Sequence, residues 1–315
     1  MNSNLYVVLA MAFALGLALR AGSVCLVAAT EALLRRRNPD RMLLILEGTG
    51  WALVALVALG AYPIGMNFSQ PVLIGLAGAF IFGVGAAVNG ACAFGVIAQI
   101  GTGRFEYFLT GLGLWIGMQG VAIWRPEAAA VQSGPVLPWS LALWAIAALF
   151  LTRLVLLHLR GTVNLRRAVT GSVAIAVAAA CFASLAILHR EFPWITLLAD
   201  LSMVDVLSVV IAVLVVAGAI TAGLLIPDGF ELRWPGWRRL GKRFAGGFLM
   251  GLGSILLPGG NDTLLFFGLT TGAGLAALGL LAVMAGIAVT SLISGRRLSP
   301  FLRRAAEICG LGERP

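Results

Sequence analysis

Nine apolar blocks, each of about the 20 residues that a helix needs to cross a bilayer, follow one another along the chain. They run from Leu5 to Leu34, Met42 to Tyr62, Val72 to Gln99, Phe105 to Trp124, Trp139 to Leu159, Ala168 to Leu188, Val204 to Ile226, Phe244 to Leu269 and Ala273 to Ser294. A chain built this way cannot close a water-soluble core. Its charged fraction is 11% and its mean hydropathy +0.99, where soluble chains carry about 25% charge. A β-barrel would alternate polar and apolar positions, and these blocks do not. The expected fold is an all-α polytopic membrane protein of about nine transmembrane helices.

The basic residues give the blocks a direction. Nineteen of the 22 lysines and arginines follow odd-numbered spans: Arg35, Arg36, Arg37 and Arg41 after the first; Arg104 after the third; Arg153, Arg160, Arg166 and Arg167 at the end of the fifth; Arg233, Arg238, Arg239, Lys242 and Arg243 after the seventh; and Arg296, Arg297, Arg303, Arg304 and Arg314 after the ninth. Basic residues collect in cytoplasmic loops, so the N-terminus is expected outside and the C-terminus in the cytoplasm of a bacterial-type inner membrane. Eight or ten spans would break the alternation. The net charge of +9 is thus topological before it is a sign of nucleic acid, and no nucleic-acid partner is expected. The first block lacks Lys or Arg before Arg20 and outruns a signal peptide's apolar region, so it reads as a retained span.

Two spans carry residues that do not suit an unbroken helix. Span three holds Asn89, Gly90, Ala91 and Cys92, and span eight holds Pro258, Gly259, Gly260, Asn261 and Asp262. Non-helical backbone at membrane depth must line a cavity or lie buried in protein. The two breaks also align. Gly78, Phe80, Gly83, Gly85 and Cys92 have counterparts 168 positions on at Gly246, Phe248, Gly251, Gly253 and Gly260. Five crossings separate the two spans, which makes the repeat inverted. Residues 1–124 form the first repeat, 125–167 the linking span five, 168–294 the second repeat, and 295–315 a cytoplasmic tail, all within one transmembrane domain. Inverted repeats with broken helices are a common way to build a transport path; internal duplication of a structural bundle is the alternative.

Few side chains could carry chemistry. An arginine at membrane depth costs about 2.5–3.5 kcal/mol on insertion scales, so Arg20 either attracts an anion, snorkels, or pairs with Glu47. Glu31 and Glu47 read as structural partners of Arg20 or of the Arg35–Arg37 cluster. Cys25 and Cys92 each follow a glycine-containing turn, Gly22-Ser23-Val24 and Asn89-Gly90-Ala91, as a side chain presented at a helix break would. Cys181 reads as a small buried hydrophobe and Cys309 as incidental. Asn261, Asp262 and Thr263 are expected to cap the half-helix that follows the second break, whose positive end favours an anion. Gly83 and Gly85, with Gly113, Gly117, Gly247 and Gly251, read as small residues for close helix approach and not as a dinucleotide fingerprint. No Ser/His/Asp set, P-loop or metal cluster is visible, His158 and His189 lie at span ends, and the four cysteines have no pairable spacing. Neither an enzyme nor a cofactor is indicated.

With Gly22-Ser23-Val24-Cys25, Gly83-x-Gly85 leading to Asn89-Gly90-Ala91-Cys92-Ala93-Phe94-Gly95, and Gly247 to Gly253 leading to the Pro258–Asp262 turn, the chain resembles the sulphur-transport family. This is the YeeE/YedE group of inner-membrane proteins that includes thiosulfate transporters. The resemblance covers almost the whole chain in layout. It implies a narrow path through the two repeats lined by thiols, with thiosulfate passed between cysteines by S–H hydrogen bonds. Cys25 and Cys92 match the first two pore cysteines. The family's third, in the second half, is replaced here by Gly259-Gly260-Asn261. Another sulphur anion or a selenium compound is therefore an alternative substrate, with Asn261 or Asp262 in place of the third thiol. The resemblance also implies a TusA-type sulphur-carrier protein as receiver on the cytoplasmic face. The expected substrate-binding set is Cys25, Cys92, Arg20, Gly22, Asn89, Gly90, Gly259, Gly260, Asn261 and Asp262, with both thiols neutral. A membrane sulphurtransferase carrying a cysteine persulfide is the alternative from a different class.

Overall fold

The structure, a computed structural model, describes residues 2–22, 24–60, 64–65, 72–122, 132–133, 139–160, 165–188, 205–226, 229–232, 235–257, 260–271 and 274–294. It is all-helical apart from a two-residue antiparallel bridge that pairs Ile64 with Ser133 and Gly65 with Gln132. The helices are α1 (Asn2–Ala21), α2 (Leu26–Arg36), α3 (Asp40–Ala58), α4 (Val72–Asn89), α5 (Ala93–Ile100), α6 (Phe108–Ala122), α7 (Trp139–Leu159), α8 (Leu165–Leu188), α9 (Val206–Leu225), α10 (Trp237–Leu256), α11 (Asn261–Thr263) and α12 (Gly274–Ile293). A π-helical segment, Leu264–Gly268, continues α11. Seven elements are long and apolar enough to cross a membrane. The pair formed by α10 and residues Asn261–Gly268, bent by 52°, makes an eighth. The fourth expected span is represented by α6, with 15 described residues, too short to stand alone by that measure.

Each of the breaks read in the sequence is a break in the backbone. The chain leaves α1 at Ala21 and enters α2 at Leu26, with Cys25 extended at φ −148 and ψ 116. It leaves α4 at Asn89, turns at Gly90 with φ +79, and enters α5 after Cys92, again extended at φ −80 and ψ −179. A left-handed φ suits glycine because it has no Cβ to clash with the backbone.

Glycines set the helix crossings. A Cβ on Gly113 or Gly117 of α6 would overlap the Phe244 or Phe248 carbonyl of α10, and one on Gly247 or Gly251 of α10 would overlap the Thr110 or Leu114 carbonyl of α6. Index rises together along both helices, so α6 and α10 run parallel. Gly83 of α4 meets the Val283 carbonyl of α12, and Gly286 of α12 meets the Phe80 carbonyl of α4. Without a hydrophobic force between helices in lipid, such backbone-to-backbone approach is what holds them together. The main packing pairs are α1 with α9, α3 with α8, α6 with α10, α4 with α12, α4 with α10, and α1 with α8; α7 packs on α3.

One buried ion network fixes α7. Arg153, counted above among loop cations, is instead 3% exposed. Its Nε donates to Asp40 at 2.7 Å and its Nη1 to Glu47 at 3.2 Å, and it also donates to Ser172 Oγ and the Ala168 carbonyl. Glu47 is therefore the partner of Arg153 and not of Arg20. Glu31 accepts from Ser291 Oγ at 3.1 Å, while Arg35 donates to the Ser291 carbonyl, tying α2 to α12. The misreading has a physical cause: a basic residue at a span end looks the same in sequence whether it meets water or two carboxylates from another helix.

Candidate functional site: two thiols at helix breaks

The breaks before α2 and α5 bring two cysteines together that lie 67 positions apart. The Cys92 thiol donates to Cys25 Sγ at a sulphur–sulphur distance of 3.8 Å, and the Leu26 amide donates to Cys92 Sγ at 3.3 Å. Both cysteines are N-cap residues, so each sulphur sits where the first turn of a helix leaves amide N–H groups unpaired within the helix. Both thiols are free. Space for them comes from Gly95: a Cβ there would lie 2.6 Å from Cys25 Sγ and 3.2 Å from the Ala91 Cβ.

Asn89 builds the turn. Fully buried, it donates from Nδ2 to the Ala91 carbonyl at 2.9 Å, and its Oδ1 accepts from Thr110 Oγ1 at 2.8 Å. Its side chain is thus engaged in shaping the break and anchoring it to α6. Gly22 closes the end of α1 by donating to the Ala18 carbonyl at 2.8 Å.

Arg20 does not pair with Glu47. Buried, it donates to the Gly229 carbonyl at 2.8 Å, in the connection after α9. A cation that does lie beside the Cys92 break is Arg243, which the sequence offered only as a cytoplasmic loop residue. Its guanidinium lies 4.1 Å over the ring of Tyr107, and its Nη1 is 3.1 Å from where a Cβ on Gly90 would be.

At the third break the chain resumes helix with Gly260 as N-cap, extended at φ −114 and ψ −164. Gly260 is the residue aligned with Cys92, and it holds the same position in its helix. No side chain caps this helix, which corrects the expectation for Asn261, Asp262 and Thr263. Capping needs the oxygen at the N-cap position, and these residues begin one place too late. Asn261 and Asp262 are fully buried, and their side-chain nitrogen and oxygen atoms make no hydrogen bond among the described residues. Pro258, Gly259, Ser23, His189 and Cys309 lie outside the described residues.

Aromatic rings join the breaks. Phe94, two residues after Cys92, meets Phe182 of α8 edge-on at 5.3 Å and Phe266 of the π-helical segment at 5.4 Å; Phe182 in turn meets Phe266 at 5.4 Å and Phe267 at 5.9 Å. Nothing in the separated sequence positions flags this cluster. Cys181, next to Phe182, packs against the apolar core as a small hydrophobe. Among the described residues no group of His, Cys, Asp or Glu could hold a metal ion.

Apolar helices of spanning length, broken where two thiols meet, define a multi-pass membrane protein. Residues 21–133 match the model of the family described as Sulphur transport, the YeeE/YedE family, and this segment contains both thiols, the Asn89 turn and Tyr107. Sulphur-related transport is the activity that this match and the spans support. No curated protein matches the chain.

Proposed function

We propose that this protein carries a small sulphur-containing anion, thiosulfate first, into the cytoplasm along a path whose narrowest point is the Cys25–Cys92 pair. The observation that carries the reading is the 3.8 Å sulphur–sulphur contact between the N-caps of α2 and α5. A neutral thiol is a weak donor, and the terminal sulphur of thiosulfate is a soft acceptor. Each contact is then weak enough to be left again, as passage requires. An incoming sulphur replaces the thiol–thiol contact with one S–H bond from each cysteine. The positive ends of α2 and α5 stabilise the anion's charge, and the packed Phe94, Phe182 and Phe266 rings keep bulk water out of the way.

The packing supports nine spans in two inverted repeats. Pairing spans one to four with six to nine exchanges α1 with α8, α3 with α9, α4 with α10, and α6 with α12. Under that exchange the α1–α9 contact becomes α8–α3, and α6–α10 becomes α12–α4; α4–α10 and α1–α8 map onto themselves. All six are main packing pairs. The matching N-cap positions of Cys92 and Gly260 support the same register. In this reading Gly259, Gly260, Asn261 and Asp262 take the place of the missing third thiol, with the unengaged side-chain atoms of Asn261 and Asp262 offering polar contacts. The positive-inside pattern puts the N-terminus outside and the C-terminus in the cytoplasm of the inner membrane, where a TusA-like carrier would receive the sulphur.

The test is labelled thiosulfate uptake, with thiosulfate as sole sulphur source, in a host lacking its own importers. Native chain should support uptake, and Cys25→Ala and Cys92→Ala should each abolish it at matched expression. Uptake that survives both substitutions refutes the thiol path. A stable added sulphur atom on either cysteine after turnover, read by mass spectrometry, would indicate a sulphurtransferase instead.

A further inference from the structure

We propose that Asp262 is a proton-carrying carboxyl that couples entry of the sulphur anion to entry of a proton, binding the proton while the anion occupies the path and releasing it on the cytoplasmic side. The inference rests on the transport reading above and supplies its driving force. It starts from the densest group of unsatisfied polar atoms among the described residues. Asn261 Nδ2 and Oδ1, both carboxylate oxygens of Asp262, and Thr263 Oγ1 are buried without a hydrogen-bond partner. Buried polar atoms are otherwise almost always paired, and a run of unpaired ones calls for an occupant or a functional use.

Asp262 is 0% exposed. Its own amide and that of Thr263 act on the carboxyl without forming a hydrogen bond to it, and no charged side chain among the described residues acts on it. Other buried carboxylates are engaged: Glu47 by Arg153 and Ser172, and Glu31 by Ser291. Among the described residues, Asp262 alone is a buried carboxylate with both oxygens unbonded. The elements packed mainly against α11 are the π-helical segment and α5. Neither carries an ionisable side chain, and the titratable group at the N-cap of α5 is the Cys92 thiol. A lone carboxylate sealed in apolar surroundings is costly, and a bound proton removes that cost.

The carboxyl is joined to the thiols through packing. Phe266, four residues after Asp262, meets Phe94, two residues after Cys92, at 5.4 Å. An anion at the thiols repels an ionised Asp262 strongly where water is scarce, so anion and proton each favour binding of the other, and by linkage the effect is equal in both directions. A doubly charged anion entering a cell works against an inside-negative potential that acts on each charge. A proton moving with it offsets one charge and adds the pull of the pH gradient. The position 168 residues before Asp262 is Phe94, so only one half of the chain carries the carboxyl.

The test uses purified full-length protein in liposomes, with the membrane potential clamped at zero by valinomycin and equal potassium on both sides. Labelled thiosulfate accumulation is read with and without an inside-alkaline pH gradient, and a trapped dye follows internal pH. For one proton per anion, a gradient of about one pH unit should concentrate thiosulfate about tenfold in native protein, and the interior should acidify as thiosulfate enters. In Asp262→Asn, which cannot bind and release the proton, the ratio of accumulation with the gradient to that without it should fall to one. Thiosulfate entry by native protein with no response to the pH gradient, or accumulation that follows a sodium gradient instead, overturns the proposal. So does an Asp262→Asn protein that keeps the native ratio. Should Asp262→Asn carry no thiosulfate or fail to elute as a monodisperse species, Asp262→Glu decides: with the carboxyl restored, pH-driven accumulation must return, and its absence overturns the assignment. No thiosulfate entry by native protein under any gradient overturns the transport reading, and this inference with it.

Discussion

Gly95→Ala tests whether the thiols must be as close as the structure places them. A Cβ at position 95 would lie 2.6 Å from Cys25 Sγ and 3.3 Å from its Cβ, whereas heavy atoms in ordinary contact are about 3.5–4.0 Å apart. The sulphur must retreat by about 1 Å. The contact to Cys92 starts at 3.8 Å, near the limit of sulphur hydrogen-bond reach, so a shift of that size with a component away from Cys92 breaks it. Ala91 Cβ, 3.2 Å from the same point, prevents the new methyl from moving aside freely. Overpacking of this kind costs about 1–3 kcal/mol. If it falls on the step in which substrate bridges the thiols, uptake drops roughly five- to 150-fold, at 1.36 kcal/mol per factor of ten. Initial rates of labelled thiosulfate uptake at matched protein level give the number, and the rate of oxidative Cys25–Cys92 crosslinking gives an independent reading of thiol separation. Gly111→Ala is the control: nothing lies within 4 Å of its Cβ, and alanine stabilises a helix interior over glycine by about 0.5–1 kcal/mol. Uptake and crosslinking unchanged in Gly95→Ala would refute the argument that this glycine makes room for the thiol pair.

Two further substitutions probe the supports. Arg153→Met leaves Glu47, 2% exposed, without its cation and should destabilise the protein by about 3–5 kcal/mol; the double variant with Glu47→Gln should recover much of the loss in detergent thermal unfolding, and no recovery would contradict the pairing. Asn89→Ala removes the bonds to the Ala91 carbonyl and Thr110, leaving buried polar groups that cost about 1–3 kcal/mol each; the Cys25–Cys92 crosslink should form more slowly, whereas an unchanged rate would mean that the turn holds without Asn89.

How far the site could be read in sequence varied with the range of each interaction. The breaks at Cys25, Asn89–Cys92 and Gly260 were legible because glycine, proline and asparagine in an apolar run have local consequences for backbone. The close-packing role of Gly113, Gly117, Gly247 and Gly251 was legible for the same reason. The partners of the charges were not. Arg20 meets a carbonyl 209 positions away and Arg153 a carboxylate 106 positions away, and no local pattern distinguishes such a residue from one that meets solvent. The capping expectation for Asn261 failed by one residue, since a cap depends on where the helix starts and that register is set by packing.

By itself, the sequence determined that the chain lives in a membrane, where its helices break, and which cysteines stand at the breaks, because apolar length, positive-inside charge and turn chemistry are properties of short segments. Only the tertiary structure decided that Cys25 and Cys92 touch, that Phe94, Phe182 and Phe266 join the breaks, and that Arg20 meets the Gly229 carbonyl while Arg243 lies over Tyr107 beside Gly90. These are meetings between helices, set by which glycines let which backbones approach, and that choice is made only when the helices pack.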